Sequence, residues 1–518
     1  MKADLILSNV NVLTMDPSCP AAKCIAVRGG RILALGGDEN LKELKDRRTR
    51  IIECTNRTIV PGFNDAHSHV HALAESFHTL DLGPRARITS IHDIQDKIRQ
   101  SAQDLPPGTW IRGGGYNEFH LREKRHPTRW DLDEATSLHP IKLTHRSGHA
   151  HVLNGLALQL AGILKETPDP PRALIDRDLE TGEPTGILYG MGARLSQVVP
   201  PMEDQQLEEG IKKANRELLS LGITSIQDAS ARNDLGRWQM FQRWKGAELL
   251  KPRVTMMLGV ESFQKNPRHD FSTPLDKNHL RLGGVKIFLD ETTGSLAPSQ
   301  EELNQLLLDI HPLGVQVALH AFEETAIAAA CAAIESALSR FPRDDHRHRI
   351  EHCAVCPPAL SRRLASLGII VVTQPSFIFY HGDRYLETVP RGQLKHLYPF
   401  ATLIRNGVRV AGSSDSPIVS SNPLIGIYSA VSREAETGAL LLPEERITSP
   451  EALRMYTDYA ARANFEEASK GSLTPGKLAD LVVLNGDPTR VSTGEIKDIK
   501  VAMTMIDGKV VWGEYANQ

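Results

Sequence analysis

The stretch VPGFNDAHSHVH, Val60 to His71, places three histidines at alternate positions directly after an apolar run. In a β-strand every second side chain points to the same face, so His67 and His69 are predicted to project together. Such a pair is a hypothesis for a metal site, because neutral imidazole is a common metal ligand. Alternation alone does not establish it, since His149-Ala-His151 and His346-Arg-His348 have the same spacing.

Outward from this stretch, eight short runs are predicted to be buried parallel strands, most of them followed by a helix. The runs are Phe63 to His69, Ile223 to Gln227, Val254 to Val260, Val285 to Leu289, Val315 to His320, Arg349 to His352, Ile369 to Thr373 and Val408 to Gly412. Asp204 to Leu221 and Glu323 to Leu338 have the composition of helices between them. Eight strand-helix units predict an α/β protein with a (β/α)₈ TIM-like barrel, with an open doubly wound sheet as the alternative.

The two ends of the chain are rich in short strands. At 518 residues the chain exceeds the roughly 300 residues at which single cores stop growing, so a second domain is expected. ADLILSNVNVLTM, IAVRGGRILALG and RIIECTNRTIVPG lie near the start, and GKLADLVVLNG and IKDIKVAMTMIDGKVVWGE near the end, with Asp507-Gly508 as a hairpin turn. Residues 1–60 and 470–518 are therefore predicted to form one small composite β-sandwich domain, and residues 61–469 the barrel.

A long insertion separates the first two barrel strands. It covers about residues 80–200, and barrel enzymes carry their function in the loops after the strands. The insertion is therefore predicted to cap the substrate site.

Composition limits the partners. A formal net charge of -3 offers no electrostatic argument for nucleic acid or an anionic membrane, so a small molecule is the expected partner. The N-terminal stretch lacks the pattern of a signal peptide, and the six cysteines are too sparse for a disulfide framework, Cys353-Ala-Val-Cys356 included. These features predict a cytoplasmic protein with reduced thiols, and base rates allow a homodimer.

Polar residues with metal-binding or catalytic chemistry stand at the carboxyl ends of the predicted strands. They are His67, His69, Lys286, His320, His352 and Asp415. Because the carboxyl ends of barrel strands meet at one face, this set is predicted to form one site.

The same segments resemble the amidohydrolase superfamily, and within it the branch of N-substituted formamide deformylases, amidohydrolase family 3. The resemblance covers nearly the whole chain. Its motifs are VPGFNDAHSH, WIRGGGYNEFH, RSGHAHVLN, GLALQLAGILKETPDP, GEPTGILYG, LGITSIQDAS, VKIFLDETTGS, VALHAF, RIEHC, TQPSF, GSSDSP and GSLTPGKLADLVVLNGDP.

The resemblance implies a site for two divalent ions, expected to be zinc, with manganese, iron or cobalt as alternatives. His67 and His69 would bind one ion and His320 and His352 the other. Lys286 would bridge them after carbon dioxide converts its amine to a carbamate. The alternative is an ordinary Lys286 that pairs with Asp290 or Glu291.

The resemblance also implies the reaction, hydrolysis of a non-peptide carbon-nitrogen bond in an amide, N-acyl or N-formyl small molecule. Asp415, itself expected to be a metal ligand, would take a proton from the metal-bound water and pass it to the leaving nitrogen. His149 would hold the substrate carbonyl or the oxyanion, unless it is a structural histidine of the inserted segment. Tyr116, Asn117, Arg146 and Gln374 are further candidates for substrate contact.

Two departures from the family pattern leave the substrate open. His320-Ala-Phe-Glu323 is similar to the HxxE motif of deaminases that use a single metal and a proton-shuttling glutamate, although Glu323 could equally cap the next helix. Glu291, Thr292 and Thr293 form a longer turn that either lines the pocket or is solvated. A heterocycle deaminase, an inactive relative and a reaction other than hydrolysis therefore remain as alternatives.

Overall fold

The computed structural model describes residues 1–83, 86–171, 173–267, 271, 279–291 and 294–514. The chain divides into two compact units. The first, here called the barrel unit, contains residues 1–70, 215–289 and 296–518. The second, here called the inserted unit, contains residues 71–214 and 290–295.

Eight parallel strands form the central sheet of the barrel unit. In chain order, which is also their order in the sheet, they are Phe63–Ser68, Ile223–Asp228, Arg253–Gly259, Leu280–Phe288, Val317–Ala321, Arg349–His352, Ile370–Thr373 and Arg409–Gly412. All eight predicted strands are confirmed. The fourth begins five residues before the predicted start at Val285, because Leu280 already pairs with Val254 of the third strand.

The ends of the first and eighth strands meet, so the sheet forms a TIM-like barrel instead of an open doubly wound sheet. The Asp415 amide donates to the carbonyl of His67 over 2.9 Å, and the His69 amide donates to the carbonyl of Ser416 over 2.8 Å. This closure brings the carboxyl ends of the first and last strands together, where the predicted ligands lie.

Helices follow most of the barrel strands, and both predicted helices are present. The longer ones are Asp204–Ser220, Leu235–Gly246, Gln300–Ile310, Glu324–Arg340, Pro358–Ser366, Ser376–Thr388 and Pro423–Ser432. The shorter ones are Asp38–Leu41, Val70–Ser76, Val260–Lys265, Arg391–Leu394, Phe400–Arg405, Ser449–Met455 and Asp458–Arg462. Among the described residues, none of the helices has the length and apolar character needed to cross a membrane.

Strands from both chain ends share one six-stranded sheet. Its order is Lys509–Gly513, Val501–Ile506, Leu481–Leu484, Thr58–Pro61, Asn11–Leu13 and Ala21–Ala22. A four-stranded sheet, in the order Arg31–Gly36, Cys24–Arg28, Leu5–Ser8 and Arg50–Glu53, shares a hydrophobic core with it. Asp507 and Gly508 form the predicted hairpin turn, both with positive φ. A separate sandwich domain bounded at residues 60 and 470 stays a prediction.

The inserted unit has its own sheet and its own cores. The strand order is Leu174–Arg177, Pro184–Tyr189, Ala150–Leu153, Ile141–His145, Ile111–Tyr116 and Leu80–Asp81. Its helices are Ile91–Gln103, Arg129–Asp133, Gly155–Leu160 and Gly192–Val198. Two clusters of buried apolar residues lie within the unit. The insertion is therefore a folded α/β element, and its predicted role as a cap stays a prediction.

Three buried histidines form a hydrogen-bonded cluster in the barrel unit, away from the predicted ligands. His348 Nδ1 accepts from the Val317 amide over 3.0 Å, so its Nε2 carries the proton and donates to His311 Nδ1 over 2.8 Å. His346 Nδ1 accepts from the His348 amide, and its Nε2 donates to the carbonyl of Leu367. Burial lowers the pKa of all three histidines, with Arg343 nearby adding to the effect.

This cluster predicts a loss of stability in acid. The unfolded chain takes up protons on these histidines near pH 6.5, whereas the folded chain does so only at lower pH. The free energy of unfolding should therefore fall as the pH decreases below about 6.5. His348→Asn keeps an acceptor for the Val317 amide and should make this slope shallower, by up to about 1.4 kcal/mol per pH unit.

Urea unfolding of metal-free protein at several pH values measures the slope. The control is His92→Asn, because His92 is exposed in the helix Ile91–Gln103 and should not alter it. Equal slopes for wild type and His348→Asn would contradict the prediction.

Candidate metal centre

His67, His69 and Asp415 come together at the carboxyl ends of the first and eighth barrel strands. One potential ligand atom from each lies within 4.8 Å of the others. The Asp415 Oδ1 atom is 2.9 Å from His69 Nε2 and 3.4 Å from His67 Nε2. Two imidazoles and a carboxylate at this spacing are a donor set that suits a divalent ion.

His320 and His352 complete a contiguous group of four imidazoles. The ring centroids of His67 and His352 are 5.0 Å apart, and those of His320 and His352 are 4.3 Å apart. Phe288 stacks on His320 with a centroid distance of 4.2 Å. The four histidines predicted from separate strand ends therefore lie at one place.

Three of these histidines are oriented by a partner at Nδ1. Glu351 Oε2 lies 2.5 Å from His67 Nδ1, and Gln374 Oε1 lies 2.8 Å from His352 Nδ1. Ser230 Oγ lies 2.9 Å from His69 Nδ1. The oxygens of Glu351 and Gln374 accept from the Nδ1 atoms of His67 and His352, which leaves the Nε2 lone pairs of these two rings available, the usual arrangement of metal-binding histidines.

The protonation states of His67 and His352 also suit metal binding. Burial, reinforced by the Lys286 ammonium, lowers the pKa of His67 to about 3 even though Glu351 acts in the opposite direction. Burial also lowers the pKa of His352. Imidazoles that remain neutral at physiological pH keep the lone pair that a metal ion requires.

Lys286 is buried in the fourth strand beside these groups. Its side-chain amine has no hydrogen-bond partner among the described residues, and the residue is 2% exposed. Burial lowers the pKa of Lys286 to about 8, with Glu351 and Asp415 opposing the shift. Burying an amine without a hydrogen-bond partner costs free energy, so a further group bound to or beside Nζ would offset that cost. The residues therefore fit a divalent metal centre.

Backbone conformation directs two of the candidate residues into the site. His352 has φ 75 and Asp415 has φ 59, both in the left-handed region that non-glycine residues rarely adopt. Glu351 and His352 are neighbours in a strand, where alternate side chains should point to opposite faces. The positive φ at His352 breaks this alternation and allows both side chains to reach the site.

Asp415 is held as a carboxylate. Burial favours its neutral form, but the adjacent His69 ring, with Nε2 2.9 Å from Asp415 Oδ1, holds the pKa of Asp415 well below the usual value. Asp65, two residues before His67 in the first strand, has the opposite shift. Burial raises the pKa of Asp65 to about 6, although it accepts hydrogen bonds from the amide and hydroxyl of Ser414. The two carboxylates therefore have distinct environments.

Two predicted substrate contacts in the barrel unit have other partners. Gln374 is fully buried, and its amide nitrogen donates to Ser413 Oγ over 3.1 Å while its oxygen faces His352. This geometry favours orientation of His352. Glu323 occupies the N-cap position of the helix Glu324–Arg340, but its side chain makes no capping hydrogen bond and accepts instead from Gln393 Nε2 over 3.4 Å.

The other predicted contacts lie in the inserted unit. Tyr116 is buried, and its hydroxyl is 2.9 Å from His126 Nδ1. The buried Asn117 side-chain oxygen accepts from the amide of Phe119. Arg146 and Glu291 are half-buried and His149 is exposed. Thr292 and Thr293 lie outside the described residues. The roles of these residues in substrate binding stay predictions.

Three supporting residues were not predicted. Glu351 and Ser230 orient His67 and His69, and Asp228 accepts hydrogen bonds from the amides of Ser230 and Val70. One signal existed for Glu351, because Arg349 and Glu351 are opposite charges at alternate positions of a strand expected to be buried. Ser230 and Asp228 carry no comparable signal beyond their place at the end of the second strand.

Comparison with known proteins places the chain in a family. The model of the Amidohydrolase family matches residues 50–512. An N-substituted formamide deformylase of Arthrobacter pascens is 31% identical over 536 positions, which cover 98% of this chain and 97% of that protein.

Two solved structures share the fold. Both are described as uncharacterized metal-dependent hydrolases, one from Pyrococcus furiosus and one from Pyrococcus horikoshii OT3. The first has a TM-score of 0.72 at 24% identity and covers 94% of this chain and 100% of that chain. The second has a TM-score of 0.74 at 23% identity and covers 95% of this chain and 99% of that chain. The chain therefore belongs to the amidohydrolase family and is a hydrolase that acts on carbon-nitrogen bonds.

Proposed function

We propose that the protein hydrolyses the amide bond of an N-acyl or N-formyl small molecule at a centre of two divalent metal ions. His67 and His69 would hold one ion, His320 and His352 the other, and a carboxylated Lys286 would bridge them. Zinc suits imidazole and carboxylate ligands, and manganese, iron or cobalt are alternatives. The N-substituted formamide deformylase of Arthrobacter pascens supports an N-formyl substrate.

The observation that carries the proposal is the buried Lys286 amine beside four clustered imidazoles. Its Nζ has no hydrogen-bond partner among the described residues, and burial lowers the pKa of Lys286 to about 8, so a larger fraction of the amine than usual is neutral and able to react with carbon dioxide. The resulting carbamate is an oxygen ligand like a carboxylate, and it would satisfy the buried position. Outer partners at three of the histidines support the same set of ligands.

The metal centre would supply a water of lowered pKa, about 7, and polarise the substrate carbonyl. Asp415 would accept a proton from the attacking water, whose oxygen forms the new bond to the carbonyl carbon. Asp415 then donates that proton to the substrate nitrogen as the carbon-nitrogen bond breaks. The products are a carboxylate, formate for an N-formyl substrate, and an amine. Asp415 carries one proton of the water to the nitrogen, and the other is released to solvent or taken up by the amine. His149 is proposed to hold the carbonyl oxygen, and Tyr116, Asn117, Arg146 and Glu291 to contact the substrate.

A heterocycle deaminase with a single metal is the second candidate. The half-buried Glu323 favours it, because its carboxylate makes no capping hydrogen bond and stands three residues after His320. Such a mechanism has no use for Lys286, whose buried amine favours the amidase.

All six cysteines are free thiols and five are buried, which supports a proposed location in the reducing cytoplasm.

Metal stoichiometry distinguishes the two candidates. Protein prepared without chelator and with bicarbonate should contain two ions per chain, and Lys286→Met should contain fewer than two because the bridge is lost. Elemental analysis measures both. The matched control is Lys245→Met, since Lys245 is another buried lysine, which donates to the carbonyls of Lys251 and Pro252. One ion per chain in wild type and in both variants would contradict the two-metal centre.

Turnover tests the reaction class with the same preparations. N-formyl and N-acyl amines should release free amine together with formate or the corresponding carboxylate. Aminated heterocycles should release no ammonia. Ammonia release from a heterocycle by a protein with one ion per chain would establish the deaminase instead.

A further inference from the structure

Glu351 is a fully buried carboxylate that contacts both a candidate ligand and a cation. It is 0% exposed, and it lies on the sixth barrel strand next to His352. Its Oε2 atom is 2.5 Å from His67 Nδ1. Its Oε1 atom accepts from Arg349 Nε over 2.5 Å, and its Oε2 atom also accepts from Arg349 Nη2 over 3.0 Å. Both carboxylate oxygens are therefore fixed by charged or polar donors.

Arg349 is itself held by contacts with two other strands. Its Nη1 donates to Gln227 Oε1 on the second strand over 2.5 Å, and its Nη2 donates to the carbonyl of Ala66 on the first strand over 2.6 Å. The residue is 0% exposed. A guanidinium is a planar set of five donors with fixed directions, so these contacts fix the orientation of the Glu351 carboxylate.

We propose that Glu351, clamped by Arg349, is a positioning residue that sets the tautomer and orientation of His67 for metal binding. The inference rests on the proposed metal-ligand role of His67. An ionised carboxylate can only accept, so His67 Nδ1 must carry the proton, and the lone pair remains on Nε2. That Nε2 atom is the one that faces Asp415 at 3.4 Å.

His67 differs in this respect from its neighbours. The oxygens at His69 and His352 belong to a neutral hydroxyl and a neutral amide, from Ser230 and Gln374. His67 has a carboxylate at Nδ1, unlike His69 and His352. A negative charge there raises the basicity of the ring as a ligand. Removal of the charge should therefore weaken metal binding even where the geometry of the site is kept.

The alternative is that Glu351 serves only as a counter-ion for Arg349. A counter-ion affects stability but not the ligand field of a bound metal, so spectroscopy separates the two roles. Cobalt(II) is the probe because its visible absorption reports the geometry and donor strength of its ligands. Chelator-treated wild type, Glu351→Gln, Glu351→Asp and Glu445→Gln are titrated with cobalt(II). Glu445 is a buried control whose carboxylate oxygens accept from the amide and hydroxyl of Thr402.

Glu351→Gln should raise the cobalt dissociation constant by roughly 10-fold to 100-fold and shift the visible bands. Glu351→Asp keeps the charge but shortens the side chain, and it should give a smaller increase. Glu445→Gln should match wild type. Wild-type affinity and bands in Glu351→Gln would overturn the positioning role while leaving the metal centre intact. If Glu351→Gln does not fold, unchanged binding by Glu351→Asp overturns it. A wild type that binds no cobalt would overturn both this inference and the proposed function.

Discussion

Replacement of Asp415 by asparagine is expected to lower kcat by roughly 10²-fold to 10⁴-fold, the usual contribution of a general acid and base. Asparagine has the size of aspartate and keeps an oxygen at Oδ1, but it cannot accept and return a proton. Metal content should therefore remain near that of wild type while turnover is lost. Steady-state kinetics with elemental analysis of the same sample measures both effects.

The position of Asp415 explains why no neighbour should replace it. Its amide donates to the carbonyl of His67, and its left-handed backbone directs the carboxylate toward His67 and His69. The other buried carboxylate nearby, Glu351, is committed to His67 and Arg349. Asp65 is committed to Ser414. In the proposed mechanism, proton transfer at the reacting nitrogen is therefore expected to depend on Asp415.

The matched control for this substitution is Asp234→Asn. Asp234 caps the helix Leu235–Gly246 by accepting from the Arg237 amide over 2.9 Å. Asparagine caps helices about as well as aspartate, so this variant should keep full activity. A kcat for Asp415→Asn within tenfold of wild type would show that another group transfers the proton.

The fold was largely predictable because short segments of the sequence identify most of the strands one at a time. Most barrel strands contain a short apolar run that can be recognised alone, and parallel strands place their carboxyl ends at one face. His320 and His352 could therefore be grouped with His67 without knowing any distance. The fourth strand shows the limit of this reasoning. Gly283 and Gly284 interrupt the apolar run, yet Leu280 to Leu282 still pair with the third strand.

The residues that orient the candidate ligands, such as Glu351, could not be predicted, because they contact residues far away in the sequence. His67 and Glu351 are 284 residues apart, and alternation would place Glu351 and His352 on opposite faces. The positive φ at His352 that permits both to face the site has no signature in the residue types. The inserted unit was likewise predicted only as a cap, and its own fold was missed. Its short strands and helices bury their apolar faces against one another, a packing that no single segment reveals.

The Arg349→Met variant should show the largest loss of stability. Methionine approximates the length of the arginine stem but leaves the Glu351 carboxylate buried without its cation. Removal of one partner from a buried ion pair usually costs about 3–5 kcal/mol. The guanidinium also satisfies the Gln227 side chain and the carbonyl of Ala66, which would be left without a donor. Urea unfolding of metal-free protein should therefore shift to a much lower midpoint.

The double variant Arg349→Met with Glu351→Met separates charge from shape. If the cost comes from an unpaired buried charge, removal of the carboxylate as well should recover much of the lost stability. The comparison must use metal-free protein, since a bound ion stabilises the folded state by its own binding free energy. A double variant no more stable than Arg349→Met would instead mean that the contacts of Arg349 with the first and second strands dominate. The clamp would then be a structural tie between strands, with the charge on Glu351 serving His67 alone.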